Sequence, residues 1–114
     1  MAIARIEAKT KRNVAPDYIS GTLIEILTER YKAECLAESE DKNSNLYTRT
    51  RTAKYFLNHG QDIELCVSSK HDQRNRKETL IMQASDGLLI AILAFLIEDR
   101  LTGDQISFKK AISL

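Results

Sequence analysis

The stretch Leu88-Leu89-Ile90-Ala91-Ile92-Leu93-Ala94-Phe95-Leu96-Ile97 decides how this chain folds. An unbroken apolar run leaves a helix no polar side to turn toward water, so nearly its whole circumference must be covered. As a helix the run is about 15 Å long, roughly half the hydrocarbon thickness of a bilayer. It therefore reads as a core element and excludes a membrane span. Its ends are also marked: Ser85 is a natural N-cap, Asp86 lies in the first turn, and Thr102-Gly103 stops the helix after Leu101.

Working outward, Glu78 to Ala84 reads as a short strand with Leu80, Met82 and Ala84 on one phase, and Ile106, Phe108 and Ile112 make a final strand. Upstream, Ile63, Leu65 and Val67 alternate with Glu64, Cys66 and Ser68, the pattern of a strand with one buried face. The polar segment from Ser69 to Lys77 joins this strand to the next as a loop, so the two should pair antiparallel. Residues 46–57 suit a strand or a helix. The alternation Tyr47-Thr48-Arg49-Thr50-Arg51-Thr52 decides for a strand, because β-branched threonines cost a helix stability and fit a pleated surface. Asn58-His59-Gly60-Gln61 is then a hairpin loop.

Near the N-terminus, Pro16 and Asp17 suit a first helical turn, and Ile19, Leu23, Leu27, Tyr31 and Cys35 recur at every fourth position. This predicts a long amphipathic helix from Pro16 to about Ser39, ending in the polar stretch from Glu40 to Asn45. Residues 2–10 place Ala2, Ala4, Ile6 and Ala8 on one phase, as an edge strand does, although their alanines also permit a helix. The expectation is an α+β fold: an antiparallel sheet of about four to five strands, with a long N-terminal helix and a strongly apolar second helix packed against it. The order is β-α-β-β-β-α-β, its first strand being the open one. No Pro-, Gly- or Ser-rich stretch divides the 114 residues, which predicts a single domain over residues 1–114.

Composition narrows the functional classes. With 43% apolar and 29% charged residues the chain is too apolar for a disordered one, and a net charge of +1 gives no whole-molecule field toward nucleic acid or an anionic membrane. Any charge-based recognition must be local. Cys35 and Cys66 stand far apart without metal-type spacing, which suits two reduced thiols in a cytoplasmic protein, a single disulfide being the lesser alternative. The first residues lack the order of a secretory signal.

Chemistry-bearing motifs are scarce. His59 and His71 fall in polar loops, Cys35 and Cys66 read as buried structural thiols, and these four lack the close pair spacings of a zinc site. The glycines stand singly, which excludes a phosphate-cradling loop, and the acids Glu38, Glu40 and Asp41 read as a solvated helix end. No catalytic, metal-binding or cofactor-binding residue is assigned.

Two surfaces remain. On a strand, Tyr47, Arg49, Arg51 and Tyr55 share a face and mix guanidinium groups with rings, as single-strand-binding sheets do. Arg74, Arg76 and Lys77 would extend that face, with Lys9, Lys11 and Arg12 as further phosphate contacts. The structural alternative is that alternating Arg and Thr merely keep an exposed sheet soluble. The second surface is the apolar helix. Small residues fall near one stripe, which makes Gly87, Ala91, Ala94 and Phe95 the candidate interface. At about 25 cal/mol per Å² of apolar surface, leaving three large side chains of this helix exposed forgoes several kcal/mol, so something must cover them: either the chain's own core, with the helix at the centre of a monomer, or a second copy or partner. The expected function is a non-enzymatic regulatory or adaptor-type module that binds protein and forms a homodimer. The alternative is a nucleic-acid-binding protein.

Overall fold

In the computed structural model, the described residues form eight elements in chain order: β1 (Ala2–Thr10), α1 (Tyr18–Tyr31), β2 (Glu34–Asn43), β3 (Leu46–Phe56), β4 (Asp62–Asp72), β5 (Lys77–Ala84), α2 (Gly87–Leu101) and β6 (Ile106–Ser113). The structure describes residues 1–10, 14–56, 62–103 and 105–114, without the side chains of Cys35, Tyr55, Phe56 and Asp62. The expected hairpin loop 58–61, with His59, lies outside the described residues, as do Lys11 and Arg12.

The strands form one six-stranded antiparallel sheet in the order β2-β3-β4-β5-β1-β6. That order corrects the expected position of β1: the strand lies between β5 and β6, not at an edge. Its alanines have a packing role. Ala2, Ala4 and Ala8 are buried beside Ile6, and such small side chains let a helix settle closely on the sheet.

Both helices pack on one face of the sheet, over β1, β5 and β6, and against each other. From α1 come Ile19, Leu23, Ile26 and Leu27; from α2 come Leu89, Ile90, Leu93, Ala94 and Ile97. They close on Ile6, Leu65, Val67, Leu80 and Met82 of the sheet to make a single core. The α2 boundaries match the expected ones, with the cap moved by one residue. Asp86 is the N-cap, its carboxylate accepting from the Leu89 N–H at 3.0 Å.

The main correction concerns residues 32–43. The expected helix to Ser39 stops at Tyr31, where Lys32 adopts the left-handed conformation (φ 50°) and its N–H donates to the Leu27 carbonyl. The chain then turns back as β2 along β3, with a register shift between Cys35 and Ala37. Cys35 is therefore a β2 residue. Glu, Leu and Ala are good helix formers, so local preference points to a helix here, and a cross-strand ladder with β3 overrides it. The loop expected from Ser69 to Lys77 is also shorter, because β4 continues to Asp72 and pairs with Lys77.

Candidate functional site

Beyond the N-terminus of α1, the helix-facing side of the sheet changes from apolar to polar. On β5, Glu78 follows the phase of Leu80 and Met82 and is buried at 4% exposure. It accepts from the Ile19 N–H at 2.7 Å and the Ser20 N–H at 3.3 Å, so a carboxylate from a neighbouring strand satisfies the first amides of α1. Asp17, which stands at the cap position, does not cap. It adopts a left-handed conformation (φ 66°) that turns its carboxylate toward the sheet.

There Asp17 accepts from Arg51 at 2.6 Å, Arg49 at 2.9 Å and the Ser69 hydroxyl at 2.7 Å. Arg51, 7% exposed, also donates to the Ser20 hydroxyl at 2.7 Å, and Arg49 pairs with Glu38 of β2. One carboxylate thus binds α1 to β3 and β4. Against the cost of burial, Glu38 and Asp17 together raise the pKa of Arg49 and hold it in its charged form. Burial raises the Tyr47 phenol, and a hydrogen bond with Glu40 adds to the rise.

His71 sits directly across from Glu78 in the β4–β5 register and is 5% exposed, so the expectation of a solvated loop histidine is corrected. Its Nδ1 has no hydrogen-bond partner among the described residues. Burial lowers its pKa below 6.5, opposed by Asp72 and Asp17. Burial likewise drives the Glu78 carboxyl up to about 7, against the pull of the Ile19 and Ser20 amides and with Asp17 adding to the rise.

The residues expected to form a nucleic-acid face therefore divide. Arg49 and Arg51 are engaged with Asp17 on the helix side of the sheet, beside Tyr47. The Tyr55 side chain lies outside those described. Arg74 and Arg76 lie in the β4–β5 turn, fastened by Asp72, whose carboxylate accepts from the Arg74 N–H at 3.0 Å. Lys77 projects from the opposite, solvent-facing side and pairs with Glu7 at 3.3 Å. Asp17, Ser69 and Glu78 were missed by sequence reasoning. The available signal was Glu78, an acid on the buried phase of its strand.

The expected interface residues divide as well. Ala94 is fully buried in the protein's own core, and Gly87 lies close to its own chain: a Cβ there would come within 2.7 Å of the Leu114 side chain and 3.3 Å of the Ala2 Cβ. Ala91 is half-buried, and Phe95 is 64% exposed. With Leu88 (72% exposed) and Ile92 (40%), Phe95 forms an apolar stripe along the outer side of α2. Lys110 stands 5.9 Å from the Phe95 ring and pairs with Glu98 at the end of the stripe.

Among the described residues, no three His, Cys, Asp or Glu side chains converge as a metal-binding set, and no helix is long and apolar enough to cross a membrane. Cys66 is a free thiol on the solvent-facing side of β4, opposite in phase to His71. Fold and surfaces together describe an α+β chain with one polar buried network and one uncovered apolar stripe. No protein-family model matches the chain, and no curated protein is significantly similar to it in sequence.

Proposed function

We propose that this chain is a non-enzymatic protein-binding module that works as a homodimer joined across the outer side of α2. The observation that carries the reading is the row Leu88, Ile92 and Phe95, three large apolar side chains spaced at i, i+4 and i+7 and exposed together. Ala91 lies beside them and is small enough to let a second backbone approach. A two-fold contact is self-complementary, so the same stripe serves both subunits. Against an enzymatic reading, the described thiol and imidazole lie on opposite sides of the sheet, so Cys66 and His71 make no nucleophile–base pair.

Light scattering tests this. The native chain is expected to give twice its formula mass at tens of micromolar, and Ile92→Glu with Phe95→Glu to give a folded monomer with an unchanged circular dichroism spectrum. A native monomer at that concentration refutes the reading.

A further inference from the structure

On the side of the sheet that faces away from both helices, the ladder sets Lys9 of β1 directly opposite Lys77 of β5, and Lys109 of β6 directly opposite Glu7 of β1. Like charges directly across a ladder destabilise it. Two described carboxylates stand beside them, and both are engaged: Glu7 pairs with Lys77 at 3.3 Å and with Arg5 at 2.9 Å, and Asp72, across the ladder from Lys77, accepts from the Arg74 N–H at 3.0 Å and from the Asn75 side chain at 2.9 Å. Lys77, Lys109 and Arg5 all lower the Glu7 pKa, so the carboxylate is ionised and already shared. Lys9 and Lys109 form no ion pair among the described residues.

These side chains line an open groove of about 450 Å³, with Glu7, Lys9, Asn75, Lys77, Ser107 and Lys109 around it. Lys70 lies on the same face two strands away, opposite Thr79, and Arg74 stands in the adjoining turn. The chain as a whole is nearly neutral, at +1, so this concentration of cations is a segregation of charge. Lys9, set beside an already paired Lys77 and with no carboxylate of its own among the described residues, is the kind of local conflict that proteins retain where a ligand resolves it.

We propose that this groove binds the phosphate backbone of a single-stranded nucleic acid, with Lys9, Lys77 and Lys109 as the phosphate contacts and Ser107 as a neutral donor. The cations of this face continue beyond the groove to Lys70, in the cross-strand row Lys70, Thr79, Glu7, Lys109, which fits an extended polyanion better than a compact ligand. Phe108 is the one aromatic residue among the described lining, and a single ring makes no row on which bases stack, so recognition is through the backbone and independent of sequence. The site lies on the opposite side of the sheet from Arg49 and Arg51. It rests on none of the observations that support the dimer, and either proposal can fail without the other.

Fluorescence anisotropy with a labelled oligothymidylate, measured on the native full-length chain, tests the inference. Three phosphate contacts on a single strand predict that log K falls with log salt with a slope of about −2, and each lysine removed flattens it by about 0.7. Lys9→Gln with Lys109→Gln is expected to weaken binding at least tenfold at low salt, and Lys32→Gln with Lys42→Gln, away from the groove, to leave it unchanged. Thermal melting guards against misfolding: removing Lys9 relieves its repulsion with Lys77 and removing Lys109 forgoes an exposed attraction to Glu7, so the two effects offset and the groove variant should melt within a few degrees of the native chain. Three results would overturn the proposal: absence of binding at 20 mM salt, binding that survives the groove substitutions, or saturable binding of tripolyphosphate without binding of the oligonucleotide.

Discussion

Glu78 and His71 face each other across β5 and β4 and respond to pH in opposite directions. The Glu78 carboxyl titrates at about 7 in the folded protein against 4.5 as its ordinary value, so between these limits the folded state keeps a proton that the unfolded chain has released. Stability from this group is thus greatest in acid and declines as pH rises through that window, by up to about 3 kcal/mol. For His71 the folded pKa lies below 6.5, so the unfolded chain binds the proton first and stability rises with pH up to about that value. The two slopes oppose each other in the native protein. Urea midpoints across pH 5 to 8 should reveal each in the variant lacking the other: Glu78→Gln abolishes the decline toward neutral pH, and His71→Gln steepens it. A Glu78→Gln protein that retains the decline contradicts the assignment. The Asp17 carboxylate holds the buried Arg51, so Asp17→Ala strands a charge and is expected to cost about 3–5 kcal/mol in denaturant unfolding. Glu38→Ala removes only the exposed half of the Arg49 contacts and should cost under about 1 kcal/mol.

At the scale of elements, α2 has two different sides. Ile90 is fully buried against the sheet, so Ile90→Ala is expected to cost about 2–5 kcal/mol, whereas Phe95→Ala, on the exposed side, should cost the monomer under about 1 kcal/mol. Urea unfolding at a concentration below dimer formation separates the two. The same element was the most legible one, because an unbroken apolar run with an acid at its start admits few other readings. The strands β4 and β5 were legible for a similar reason, their apolar residues falling on alternate positions. What stayed hidden was decided by partners distant in sequence. Glu34 to Asn43 favours a helix locally and becomes a strand only because β3 offers it a ladder. Arg49 and Arg51 look like an exposed basic face until α1 brings Asp17 over them, 32 and 34 positions earlier in the chain. Gly87 and Ala94, small residues suited to any close approach, proved to make that approach within their own chain.

For the whole molecule, the two faces of the architecture divide the work. The helical side carries the core and, on its outer surface, the apolar stripe; the far side of the sheet carries the lysine groove. Two subunits joined through α2 would turn their sheets outward and leave both grooves open, so dimer formation and anion binding are compatible and separable. Pairing through the stripe also removes from water the largest apolar side chains that α2 leaves exposed. Sedimentation equilibrium of the native protein, over loading concentrations from one to one hundred micromolar, tests this central claim most directly. The account predicts a monomer–dimer equilibrium that Phe95→Glu shifts to monomer; a single monomeric species across the whole range would contradict it.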